Sequence, residues 1–470
     1  MFYRLKLISN FIILIVIVFN LNVHAQCTLT GYSKVTQGQN FSAAIKNDGS
    51  LWVWGIGVNG IDGSGVGTNS IPHPVKVGTD NDWQDVSAGN SHIVALKTDG
   101  SVWVWGGNYY GQIGMGNVNT VYVPTKVGTS TYKAISAGFG QTFIIKTDGT
   151  LWVTGEDSTQ SGLLGLGYST TGVSAFTKVG SDNDWKSVSV GAQQTFAIKT
   201  DGTLWGAGSN TAGQLGLGTL TKTNSFIQVG TQNDWREVVS GDVHSLAIKN
   251  DGTLWGCGAN NYYRQLGMPT FFYAGEFFQI GNDSNWKKVG VNIRNNTSFA
   301  LKTDKTLWGF GENDYGKVGV NSISAVVSSP TQIPGNWIDI PYNFGLRHSC
   351  AIKDDTTLWS WGIDEYFVLG NDDGIKLYKA IPTNTTCSNN PLSTIESKNE
   401  NEKYSIYPNP AYDFIEFKSA KKVSEVVIFD ATGKLVKKIS KPREKIDIRD
   451  LLPGIYMVNT GENVYKVIKK

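Results

Sequence analysis

The sequence predicts an all-β chain: a seven-bladed β-propeller followed by a small Ig-like β-sandwich. Three observations carry this reading. One phrase of the form I-K-T-D-G-T-L-W-x-x-G returns seven times at steps of about fifty residues. The 470 residues include 55 Gly and 15 Trp but only 4 Met, a composition suited to tight turns and aromatic packing rather than to helices. Past Cys387 tryptophan disappears and short alternating apolar runs take over. The charge balance, 41 Lys+Arg against 39 Asp+Glu, gives no basic surface for phosphate and excludes a nucleic-acid partner.

At the N-terminus, Arg4 and Lys6 precede an apolar run from Phe11 to Phe19, and Val23-His24-Ala25 forms a small-x-small cleavage site. Residues 1–25 read as a secretory signal peptide. The run is too short to span a bilayer, and nothing later is long enough, so no transmembrane segment is expected.

Residues 26–388 hold the repeats. The repeat tryptophans are Trp52, Trp103, Trp152, Trp205, Trp255, Trp308 and Trp359. Each phrase reads as a hairpin, because Asp-Gly between β-prone runs is a strong turn signal. Two-residue turns are expected at Asp48-Gly49, Asp99-Gly100, Asp148-Gly149, Asp201-Gly202 and Asp251-Gly252. Lys305 and Thr356 replace Gly in the last two repeats, where a strained turn or another type is expected. A D-W-x-x-V phrase precedes each hairpin, a G-Q-L-G-x-G phrase follows it, and a P-x-K-V-G phrase closes the unit. That makes about four strands per unit, one propeller blade. All fifteen tryptophans have repeat addresses, so they are expected in blade cores and between blades.

These residues resemble a known family. G-N-S-H-I-V-A-L-K-T-D-G-S-V-W-V-W-G-G-N-Y-Y-G-Q-I-G-M-G-N (89–117) is similar to the regulator of chromosome condensation repeat, and seven copies cover about residues 30–385. The resemblance implies a seven-bladed propeller. Secreted relatives that inhibit β-lactamase make binding, rather than catalysis, the implied role.

The polar stretch 389–403 reads as a linker. Residues 404–470 alternate as strands do, and Y-S-I-Y-P-N-P-A-Y-D-F-I-E-F (404–417), V-V-I-F-D-A-T-G-K-L-V-K-K-I (426–439) and I-D-I-R-D-L-L-P-G-I-Y-M-V (446–458) resemble the type A C-terminal sorting domain of type IX secretion substrates. That resemblance implies the type IX machinery as a partner, and a secreted or outer-surface location on a Bacteroidetes-type bacterium.

No catalytic constellation emerges. His92, His244 and His348 share one repeat address and so lie on different blades, which marks them as structural. Asp80-Asn-Asp82, Asp182-Asn-Asp184 and Asn371-Asp-Asp-Gly374 resemble fragments of calcium loops but lack the bidentate Glu. No P-loop or nucleophile elbow is present. An enzyme, a metal and a cofactor are therefore not expected. Function is sought where the repeats disagree: Tyr109, Tyr262, Phe271, Phe272, Tyr273 and Phe367 are irregular loop aromatics and candidates for binding a protein or glycan. The alternatives are an inhibitor of a secreted enzyme and a polysaccharide hydrolase, the latter needing paired carboxylates. Of four cysteines, Cys257 and Cys350 occupy apolar addresses and are expected to be buried thiols. Cys27 and Cys387 flank the first and last blades and are expected to form a disulfide that clasps the ring.

Overall fold

The computed structural model describes residues 30–370 apart from 69, 271 and 323, then 378–384, and in the C-terminal part 405–407, 411–418, 425–430, 435–440, 445–459 and 464–469. The signal peptide, the linker, Asn371-Asp-Asp-Gly374, Phe271 and the Cys27–Cys387 pair lie outside the described residues. The chain divides into two compact units, Met1–Cys387 and Ser388–Lys470.

The first unit is a seven-bladed β-propeller. Its blades begin at Tyr32, Trp83, Tyr132, Trp185, Trp235, Trp286 and Trp337, and each is an antiparallel meander of four strands in chain order. First strands lie side by side around the axis. Fourth strands form the rim and are the most exposed, as in Val121–Lys126. Second strands are almost wholly buried, because their residues face neighbouring blades on both sides. All fifteen tryptophans are buried or half-buried.

The Asp-Gly turns differ from expectation. In the first blade Gly49 N–H donates to the Lys46 carbonyl at 2.9 Å, and Lys46 N–H donates to the Ser50 carbonyl at 2.9 Å. This is a three-residue loop, a type I turn closed by a glycine bulge, not a two-residue turn. Only Gly49 has positive φ, at 77°. The cause is the aspartate: Asp48 Oδ1 accepts the Ser50 N–H at 2.9 Å, which ties the chain down two residues ahead of it. The same bond recurs at Asp99, Asp148, Asp201, Asp251, Asp304 and Asp355. Lys305 and Thr356 adopt the glycine conformation, with φ of 69° and 65°. Those turns keep their type and carry the strain of a side chain in the left-handed region.

The bulge residue also links blades. Its carbonyl accepts the N–H of the next blade's opening residue, from Gly49 with Trp83 (3.0 Å) through to Lys305 with Trp337 (2.8 Å). The seventh such bond, from Tyr32 N–H to the Thr356 carbonyl at 3.1 Å, closes the ring. Gly31 N–H adds a bond to Thr356 Oγ1 at 2.8 Å.

The seventh blade is irregular. Its first strand stops at Asp339, and Asn343–Phe344 pairs instead with the first strand of the sixth blade, in parallel. Asn343 Nδ2 then reaches across the axis to the Ala137 carbonyl of the third blade at 3.0 Å.

The second unit has two antiparallel sheets. Three strands (Ser405–Tyr407, Phe414–Lys418, Lys445–Asp447) form one, and four (Leu435–Ser440, Glu425–Asp430, Gly454–Asn459, Val464–Lys469) form the other. One apolar cluster, including Ile415, Ile446, Val426, Ile428 and Val458, draws from both.

Candidate functional site

The meander fixes which loops share a face. Connections between first and second strands, and between third and fourth, emerge at one end of the ring. The Asp-Gly hairpins and the links between blades occupy the other. The first end is the loop-rich face.

The inter-blade contacts beneath that face use a shared set of donors. Third-strand residues Trp54, Trp105 and Trp361 donate their indole N–H to the carbonyls of Val368, Ile61 and Lys317 in the preceding blade, at 2.9, 2.9 and 2.8 Å. At the same address Thr154 Oγ1 donates to Gly111 at 2.7 Å and Cys257 Sγ to Gln214 at 3.3 Å. Where that address holds Ala207 or Phe310, the opposite residue on the second strand takes over: Thr195 Oγ1 bonds Leu163 and Ser298 Oγ bonds Gln265. The G-Q-L-G phrase is thus the acceptor loop of each blade. Cys257 and Cys350 are buried free thiols whose pKa values are raised by burial.

The three repeat histidines make contacts of the same kind. His92, His244 and His348 are buried and their Nε2 atoms lie 2.9, 2.9 and 3.3 Å from the hydroxyls of Thr142, Ser298 and Ser42 on the next blade. Burial lowers their pKa values to about 4, 3 and 3, which keeps them neutral. The paired aspartates Asp80 and Asp82 meet Lys97 at 2.5 and 3.0 Å, and Asp182 and Asp184 meet Lys199 at 2.7 and 3.2 Å. Their partner is an ammonium group, itself set over the repeat tryptophan.

Charges also meet around the axis. The third residue of the first strand is Lys34, Asp85, Glu237, Lys288 and Asp339 in blades one, two, five, six and seven. Lys34 pairs with Asp85 at 2.9 Å and Lys288 with Asp339 at 2.7 Å. Glu237 accepts the Val289 N–H at 2.7 Å, and burial raises its pKa to about 7. Burial opposes the charge on Lys288, but Asp339, Tyr342 and Glu237 outweigh it and hold its pKa above the ordinary value. Lys288 stands between the two carboxylates, so this is an ion-paired axial layer.

Of the aromatics singled out by sequence, Tyr109, Tyr262 and Tyr273 are exposed, at 64, 64 and 65%. Tyr109 Oη reaches Asn59 Oδ1 at 3.3 Å, and Tyr262 packs edge-on against Tyr263. Phe272 is half-buried against Phe278 and joins the fifth-blade core. Phe367 is half-buried in the loop that gives the Val368 carbonyl to Trp54 at the ring seam. The described aromatics stand on blades two, five and seven and do not converge on one site.

What converges is the axial mouth on the loop-rich face. Gln39, Asn90, Phe139, Ile293, Arg294 and Leu346 line a shallow depression there, about 250 Å³ with its open space included, together with Gln37, Gly38, Asn292 and Phe344. These residues come from the first–second loops of blades one, two, three, six and seven. The sixth and seventh blades are longer here: Trp286 to Thr297 and Trp337 to His348 each span eleven residues, where Trp83 to His92 and its counterparts in the first five blades span nine. The sixth-blade insertion carries Arg294 over the axis, its guanidinium 4.2 Å from the Phe139 ring. Burial raises the pKa values of nearby Glu156 and Asp242, with Arg294 acting in the opposite direction on both. The extra length is visible in the repeat spacing, whereas irregular aromatics do not mark it. Among the described residues no group of three or more His, Cys, Asp or Glu could hold a metal ion, and no helix is long and apolar enough to cross a membrane.

Comparison with known proteins agrees with this architecture. Models of the regulator of chromosome condensation (RCC1) repeat match residues 48–96, 99–145 and 201–248, and 83–112, 185–214 and 235–264. The secretion system C-terminal sorting domain matches 405–470. The ultraviolet-B receptor UVR8 of Arabidopsis thaliana is 26% identical over 347 residues, 70% of this chain and 76% of the receptor. The Xenopus laevis serine/threonine-protein kinase Nek9 is 30% identical over 213 residues, 40% of this chain and 22% of the kinase. Among solved structures, yeast RCC1 (Prp20) bound to Kap60 has a TM-score of 0.62 at 18% identity, covering 77% of this chain and 86% of that one. Human WBSCR16 has a TM-score of 0.62 at 18% identity, covering 72% and 94%. At these identities the structures share the fold. The chain is built from regulator of chromosome condensation repeats and ends in a type IX secretion sorting domain, which marks it for export to the cell surface or beyond.

Proposed function

We propose that this chain is a non-catalytic binding protein, exported across the outer membrane of a Bacteroidetes-type bacterium, whose loop-rich face engages a protein or glycan. In this reading residues 1–25 are removed, the propeller spans 26–388, 389–403 is a linker and 404–470 is an Ig-like sandwich read by the type IX machinery. The observation that carries it is the clustering of irregularity on one face: exposed Tyr109, Tyr262 and Tyr273 and the lengthened sixth-blade loop all lie at the same end of the ring. The opposite end repeats its hairpins seven times. The buried acids near the axis are tied to lysines and backbone, which argues against the hydrolase reading. Inhibition of a secreted enzyme is the same reading with one protein partner.

The test is to offer the full chain to a glycan array and to the extracellular proteins of its host, beside a variant with Tyr109, Tyr262 and Tyr273 all changed to Ala. Saturable binding weakened at least ~10-fold in the variant supports the proposal, since exposed aromatics are the usual anchors. Binding that survives all three changes would overturn the assignment to these residues.

A further inference from the structure

We propose that the axial mouth is a binding site for one neutral sugar ring, the terminal residue of a glycan. This rests on the reading of the loop face as a binding surface and narrows it. The mouth is where five blades meet and where the repeat is broken by the two inserted residues that place Arg294.

The chemistry of the lining selects the ligand. The Arg294 guanidinium lies against Phe139 yet makes no ion pair or hydrogen bond among the described residues, leaving its five N–H donors available. Asn90 Oδ1 is buried with no hydrogen-bond partner, an acceptor left unsatisfied at a cost that a ligand donor would relieve. Donors and acceptors therefore face one small volume, and hydroxyl groups serve both at once. Ile293 and Leu346 supply apolar contact for the C–H face of a ring. A carboxylate ligand fits less well, because Glu156 and Asp242 set two negative charges near the one positive charge of Arg294. An acidic peptide side chain would bring acceptors alone and leave Asn90 unsatisfied. The site is a shallow, open depression rather than an enclosed cavity, about 250 Å³ with the open space above it included, which suits a terminal ring resting on the surface rather than a threaded chain.

The experiment is calorimetric titration of the full chain with the methyl glycosides of glucose, galactose, mannose and N-acetylglucosamine, and with methyl glucuronide and a tetraglutamate peptide. Wild type, Arg294→Ala, Asn90→Ala and Lys126→Ala are compared, each checked for an unchanged melting temperature. The expected result is saturable binding of at least one neutral glycoside, weakened ~10-fold or more by Arg294→Ala and by Asn90→Ala, as loss of a ligand hydrogen bond predicts. Lys126→Ala, on the exposed rim strand of the second blade, should leave it unaltered. Binding weaker than ~10 mM for every neutral glycoside, insensitivity to Arg294→Ala, or preference for the glucuronide or the peptide would overturn the proposal. Failure here alongside tyrosine-dependent binding on the array would remove the axial site and leave the wider reading intact.

Discussion

His92, His244 and His348 are single residues whose protonation bears on the whole ring. A histidine with a folded pKa below its unfolded value contributes fully above about pH 6.5. It loses that contribution as pH falls towards 3–4, because the unfolded chain binds protons that the folded chain refuses. Each should therefore destabilise the propeller by roughly 2 kcal/mol between pH 7 and pH 5. Glu237, protonated more readily when folded, acts in the reverse direction, so the measurement is a difference between proteins. His92→Gln, which installs the residue found at this address in Gln141 and Gln194, should flatten the slope of unfolding free energy against pH by about one histidine's worth. An unchanged slope would show that His92 protonates freely in the fold. Lys305 offers a second single-site test. Replacing it with Gly relieves a positive φ and should stabilise by about 1 kcal/mol in urea unfolding. Thr356→Gly should gain less, since it also removes the hydroxyl bonded to Gly31.

Among the strands, the indole bonds between blades make a graded prediction. Trp105→Phe leaves the Ile61 carbonyl without its donor, because the opposite second-strand residue is Ile93. Trp361→Phe leaves Lys317 still bonded to Ser349 Oγ at 2.8 Å. The first change should cost about 2–3 kcal/mol and the second about 1 kcal/mol, and equal losses would show that indole packing alone matters. These contacts also show what could be read from the sequence. Strand identity, the four-strand unit and the blade count follow from a period of about fifty residues, which is independent of tertiary detail. The turn type does not follow from Asp-Gly, since that pair fits two-residue and three-residue loops alike. The deciding group is the Asp carboxylate and its reach to the residue after Gly. The address of Trp54, Cys257 and Phe310 looked apolar because the residues are large or soft. Its common property is a donor aimed at a neighbouring carbonyl, supplied from the opposite strand when the address itself has none. Arg294 was hidden for another reason: its signal is loop length, and its partner Phe139 is three blades away in the chain.

For the molecule as a whole, the propeller and the tail are separate compact units, so removing one should spare the other. Deleting residues 404–470 should leave the propeller's melting transition within a few degrees of wild type while the protein accumulates in the periplasm. Fractionation showing the truncated chain at the surface or in the medium would contradict the role of the tail. The seam has a further consequence, which concerns time. Six of the seven bulge-to-strand bonds join blades adjacent in the chain, whereas the bond from Tyr32 to Thr356 joins residues more than 300 apart. The bond from Asn343 to Ala137 spans 206. Contacts between distant residues form late, because a long loop must be ordered first. The ring therefore assembles as an open arc whose two ends wait for each other, and the seventh blade is the latch. A chain emerging from a ribosome or a secretion channel holds its axial mouth in a finished form only after residue 346 has arrived. Any ligand of that mouth meets a protein whose construction is essentially over.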